Sequence, residues 1–142
     1  MNVPNLRSCY DTVGGIVYFG RMLDKIRLHA QRKLPADYHA NLGQGFDSRC
    51  CSFLHVAYDD IVPRVKQGGT DEEILQWCFA HGRKPTDEEI EIWNHYMRKR
   101  GWRDDASERL AQRVKELGPQ WRRKIHTFFD YIDADEGRMP PH

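Results

Sequence analysis

The sequence predicts an all-α fold, a bundle of about six to eight short-to-medium helices around a central helix at 16–32. Three observations predict it. Between glycine and proline punctuation, the apolar residues recur with a period close to that of a helix. No stretch alternates apolar and polar residues for long enough to make a sheet. One helix-opening phrase also occurs twice. Thr70-Asp71-Glu72-Glu73-Ile74 with Trp77 returns as Thr86-Asp87-Glu88-Glu89-Ile90 with Trp93. In each copy the threonine can accept from the backbone N–H three residues on, and that residue's glutamate can bond back. This is a capping box. The acids of the first turn also oppose the positive end of the helix dipole.

The elements follow in order. Ser8-Cys9-Tyr10-Asp11 marks a short turn. Residues 16–32 read as the longest helix, with Ile16, Phe19, Leu23, Ile26 and Ala30 in one stripe and Val17, Tyr18 and Met22 widening it. A brief helix at Ala36–Leu42 follows Pro35. Another covers Asp47–Val56, with Phe46, Cys50, Phe53 and Leu54 facing inward. Asp59 or Asp60 caps the next, which places Pro63 in its tolerant first turn, and Gly68-Gly69 ends it. The two repeat helices run over 70–81 and 86–100, with Ile74, Trp77 and Cys78 as one stripe and Ile90, Trp93, Asn94 and Met97 as the other. Helices at 104–117 and 122–133 complete the bundle. The short connections predict that successive helices pack as neighbours.

The chain has 142 residues, of which 39% are hydrophobic and 30% charged, so one helical domain over 1–142 with its own core is expected. Residues 136–142 read as a flexible tail. No apolar run approaches the roughly 18 residues of a membrane span. Asn2, Pro4, Asn5 and Arg7 break up any secretory core near the start. The expected compartment is the cytoplasm, where the four cysteines would be free thiols. The net charge of +1 argues against a general polyanion binder. The charge is segmented, however: 70–91 is acidic and 98–124 is basic.

Chemistry is sparser. The central helix carries Arg21, Asp24, Lys25, Arg27 and His29 among its apolar residues, and Asp24 is within helical ion-pair reach of Arg21 and Arg27. The set reads either as an internal ion-pair network or as a pocket wall, with Arg27 holding an anion and Asp24 orienting it or acting as a base. Asp37-Tyr38-His39 lies between Pro35 and Gly43 and must fold back, and a histidine there suits acid/base work or a plain boundary position. Cys50 is a nucleophile only beside a base in an electropositive setting, with Arg49 and His55 as local candidates; otherwise it is a buried thiol. No set of residues has metal-ligand spacing, and no motif implies a cofactor. Asp130, Asp133, Asp135 and Glu136 lack calcium-loop spacing. Trp102 beside Arg98, Lys99, Arg100 and Arg103, and Trp121 beside Arg122, Arg123 and Lys124, would suit nucleic acid, or would anchor loops to the core.

Several stretches together resemble a small bacterial family known as a domain of unknown function. They are Gly14 to Arg27, Asp37-Tyr38-His39, Gly45-Phe46-Asp47, Gly69 to Ile74 with Trp77, Glu89-Ile90 with Trp93-Asn94, and Thr127-Phe128-Phe129-Asp130. The likeness covers nearly the whole chain. It implies a stand-alone domain in a bacterial cytoplasm and carries no catalytic role. Cys9 stands where the resemblance leads one to expect proline, which weakens the case for a function at Cys9.

Two functional expectations result. The leading one is a pocket for a small anionic ligand, with scope for acid/base chemistry. Arg21, Asp24 and Arg27 form one wall, Tyr38, His39 and Cys50 approach it, and Trp77, Trp93 and Asn94 close it. His39, Asp24 and Cys50 would be the reactive groups. The alternative is a non-catalytic interaction module that docks a protein or RNA on the basic 98–124 face. Oligomeric state is left open.

Overall fold

The computed structural model describes residues 2–138. Among the described residues the chain is all-α apart from one small hairpin. Thr12–Val13 (β1) pairs antiparallel with Ile16–Val17 (β2), with Thr12 opposite Val17 and Val13 opposite Ile16. The α-helices are Phe19–Ala30 (α1), Phe46–Leu54 (α2), Tyr58–Lys66 (α3), Asp71–His81 (α4), Asp87–Lys99 (α5), Ser107–Leu117 (α6) and Phe128–Asp135 (α7). Short 3-10 helices cover Ala36–Asn41 and Pro119–Trp121.

The central helix therefore begins three residues later than the stripe suggests. Gly14 and Gly15, at φ 58° and 78°, make the two-residue turn with positive φ at both centres that joins twisted strands. The β-branched Ile16 and Val17 then complete a hairpin, and Tyr18 turns the chain into α1 at φ 73°. Both strand residues are buried, so the apolar stripe is real although its first residues are extended. A second difference is Pro63, which lies inside α3 rather than in its first turn. The helix starts after Ala57 with no side-chain cap, and Asp59 and Asp60 sit in its first turn. The last helix is shifted as well. Arg122, Arg123 and Lys124 are in turns, and α7 opens at Phe128 behind a Thr127 cap that accepts from Asp130 N–H.

Both predicted capping boxes are present. Thr70 and Thr86 each accept from the N–H of Glu73 or Glu89, whose carboxylates accept from the threonine N–H in turn. The core gathers Phe19, Met22, Leu23 and Ile26 of α1 with Leu54, Ile61, Ile74, Met97 and Phe129. Packing is not confined to chain neighbours: α1 lies on α3, and α5 lies on β2 and α7. A close approach joins α2 to the turn after α4. A Cβ at Gly82 would overlap the Leu54 carbonyl oxygen, which accepts from Arg83 N–H at 3.0 Å. The expected tail does not start at 136. Glu136 is buried and Arg138 donates to the Leu6 carbonyl, while 139–142 lie outside the described residues. Among the described residues, no helix is long and apolar enough to cross a membrane.

Candidate functional site

The charged residues of α1 divide between two destinations. Arg21 and Lys25, one turn apart, face inward and are each 4% exposed. Arg21 grips Glu136 with two parallel hydrogen bonds of 2.8 and 2.7 Å and also donates to the Arg7 carbonyl. Burial alone would push the Glu136 carboxyl up; hydrogen bonds from Arg21 outweigh it and hold that carboxyl below the ordinary glutamate range. Lys25 donates to Asp47 Oδ1 at 3.0 Å, and the Tyr18 hydroxyl donates to the same oxygen at 2.6 Å. Gly43 N–H satisfies the other Asp47 oxygen. These are buried charges with complete partners, the condition under which the interior tolerates them.

Asp24 and Arg27 face a different side. Asp24 accepts from the backbone N–H and guanidinium of Arg7. Arg27 and Arg7 both donate to Asp71, the first residue of α4. Burial would raise the Asp71 carboxyl, but hydrogen bonds from Arg7 and Arg27 hold it below the ordinary range. This half-exposed network ties the N-terminal segment, α1 and α4 together. Asp24 and Arg27, expected as a pocket wall, therefore face this network and do not line the cleft beside the inward pair.

A cleft of about 500 Å³ opens beside the inward pair. Its floor is Tyr18, Arg21 and Lys25. Tyr38 enters from the 3-10 helix, with its hydroxyl donating to Glu136 at 2.8 Å. Burial and that bond push the Tyr38 hydroxyl above its usual range. The rim is supplied by Arg49 of α2, Arg100 after α5, Arg109 and Arg113 of α6, and Phe128 and Tyr131 of α7. Six basic side chains and three carboxylates line the cleft, and Asp47, Asp104 and Asp105 pair with two of those basics from just outside it. Arg100 is already committed to Asp104 and Asp105. Arg49, Arg109 and Arg113 are exposed and make no ion pair among the described residues.

Of the residues singled out from sequence, Arg21 and Tyr38 line this cleft. His39 does not; it is exposed, its Nε2 lies 3.0 Å from the Leu34 carbonyl oxygen, and its ring meets His29 edge-on. Cys50 is sealed in the core, where burial pushes its thiol well above the ordinary range, the opposite of an activated nucleophile. Cys9 is likewise buried and pushed up to about 12. Trp93 stacks on Phe53 and donates its indole N–H to the Val17 carbonyl. Asn94 clamps the hairpin, accepting from Val17 N–H and donating to the Gly15 carbonyl. Trp77 stacks on His81. These three build the fold, away from the cleft. The acids of α7 are also occupied: Asp130 accepts from the Tyr10 hydroxyl and Asp133 from the Ser8 hydroxyl.

The sequence pattern does not mark the rim arginines as a site. Arg49, Arg100, Arg109 and Arg113 come from three separate segments, α2, the end of α5 and α6, and share one rim only in the folded chain. The basic bias of 98–124 points toward Arg100, Arg109 and Arg113, and no local signal points toward Arg49. No curated protein matches the chain. The model of the family described as a domain of unknown function (DUF5069) matches residues 3–138, and the chain belongs to that family.

Proposed function

We propose that the protein binds a small anionic ligand in the cleft between α1, α2, α6 and α7. The observation that carries this reading is the exposed rim pair Arg109 and Arg113, which form no ion pair among the described residues and stand beside aromatic side chains. A guanidinium offers a planar fork of donors that suits carboxylate or phosphate oxygens. The Tyr18, Tyr38, Phe128 and Tyr131 rings supply apolar surface for the rest of such a molecule. Arg21 and Lys25 are neutralised by Glu136 and Asp47, so they shape the floor and leave recognition of charge to the rim. The reading is one of binding. The cytoplasm is its natural setting, in keeping with four free, buried cysteines.

The rival reading, a protein or RNA docking face over 98–124, has weaker support. Arg100 is buried and paired. Arg103 sits over Trp102 at 5.1 Å and Lys124 over Trp121 at 6.0 Å, so one face of each ring is already covered.

The test is a thermal-shift screen against inorganic phosphate, pyrophosphate, nucleotides and small dicarboxylates. At a ligand concentration of about 100 Kd the folded state gains about 2.7 kcal/mol, a readable rise in melting temperature. Arg109→Ala with Arg113→Ala should abolish that rise while lowering the ligand-free melting temperature only slightly, since both side chains are exposed and their contacts with Phe128 and Tyr131 lie at the surface. A rise that survives both substitutions overturns the assignment to this cleft.

A further inference from the structure

Ile92, Tyr96 and Trp102 are the exposed large hydrophobic residues among the described ones, at 59%, 39% and 49% exposure. All three line one broad surface groove along the outward face of α5. Apolar side chains gathered in one groove mark an interaction surface, unlike the same residues scattered singly.

The charges on this face are ordered. Glu88 and Glu91 occupy the N-terminal half of α5, and Lys99 the C-terminal end. None of these three forms an ion pair among the described residues. Arg49 lies over the Tyr96 ring at 5.6 Å, adding a cation to the basic end. Beyond Lys99 the groove is also lined by Arg100, Asp104 and Asp105, with Arg100 paired to both acids. With Arg49 and Lys99 that end holds three cations against two acids, so the stripe is acidic at one end, apolar in the middle and net basic at the other, and is complementary to itself when reversed.

We propose that the protein forms a two-fold dimer in which the outward face of α5 packs antiparallel against the same face of a second copy. A two-fold axis through the middle of the stripe sets Glu88 against the partner's Lys99 and Ile92 against the partner's His95. The same register brings Glu91 to the partner's Tyr96 and to the cation held over it. This is an isologous interface, in which one patch serves both subunits. Antiparallel helices also oppose their dipoles. The charge pairs select the orientation, and the apolar centre supplies the burial. Charge order is the reason to place a second copy here, since an unrelated partner has no cause to mirror it.

The experiment is sedimentation velocity over a concentration series, with native mass spectrometry of the same samples. The wild-type chain should show a reversible dimer. Glu88→Lys and Lys99→Glu should each weaken it by about tenfold, because each sets like charges together twice per dimer. The combined variant Glu88→Lys with Lys99→Glu should regain the wild-type affinity, because the swapped charges meet again across the two-fold axis. Ile92→Asp, at an exposed position, should abolish the dimer with unchanged circular dichroism. A wild-type chain that stays monomeric at every concentration overturns the proposal and leaves the groove to a different polypeptide. Single variants without effect, or a combined variant that fails to recover, overturn it equally.

Discussion

Helices α4 and α5 open with the same five residues and the same capping box, yet they bury different faces. In α4 the buried residues are Ile74, Leu75 and Cys78; in α5 they are Trp93 and Met97. The equivalents of Leu75 and Cys78 in α5 are Glu91, which is exposed, and Asn94, which clamps the hairpin. The matched tryptophans diverge too. Trp93 is buried under the hairpin and against Phe53, while Trp77 is half-buried against His81. The capping phrase determines where each helix starts. It has no say in how the helix is rotated against its neighbours, because that depends on the residues after the first turn and on what they meet.

The largest expected effect tests this divergence directly. Trp93→Ala should cost about 3–5 kcal/mol, as truncation of a buried aromatic does, and it also leaves the Val17 carbonyl without its indole donor. Trp77→Ala should cost about 1 kcal/mol, because the ring is only half-buried. Chemical denaturation of the two variants measures the gap, and equal costs would deny that the helices are rotated differently.

The caps should behave alike where the tryptophans do not. Thr70→Ala and Thr86→Ala should each cost about 1 kcal/mol, since each removes one acceptor from one helix start. Clearly unequal losses in the same denaturation assay would mean that the boxes are not independent local units.

The smallest effect separates the boxes by pH. The Thr70 N–H lowers the Glu73 carboxyl, and the Thr86 N–H lowers the Glu89 carboxyl. Arg83 pulls Glu89 further, to about 2. A carboxylate held below its ordinary value stabilises the fold above that value and loses the contribution as pH falls. The gap in melting temperature between wild type and Glu89→Gln should therefore shrink steadily from pH 4.5 toward about 2. The corresponding gap for Glu73→Gln should close over a narrower range. A Glu89→Gln gap that is constant across this window would refute the coupling to Arg83.

The fold was legible wherever the information is local. Period, glycine punctuation and caps located α1, α4, α5 and α6 to within a few residues. The misses have physical causes. Ile16 and Val17 satisfy a helical stripe and a short strand equally well, and only Gly14-Gly15 with the Asn94 clamp chooses the strand. Residues 122–124 are held in turns, and the chain stays out of helix until the Thr127 cap opens α7. Among site residues, Arg21 and Tyr38 reach the cleft from segments that the sequence singled out. Asp24 and Arg27 share a helix with Arg21 but point to Asp71 and Arg7, a distinction set by partners distant in sequence.

By itself, the sequence determined that the chain is helical, where most helices begin, and which residues cap them, because each depends on a few consecutive side chains and their backbone. Tertiary structure alone decided which charges on α1 are neutralised, that Arg49, Arg109 and Arg113 share one rim, and that α5 turns an ordered stripe of charge and apolar surface to solvent. Those outcomes depend on contacts between residues tens of positions apart, and local pattern carries no information about which of them meet.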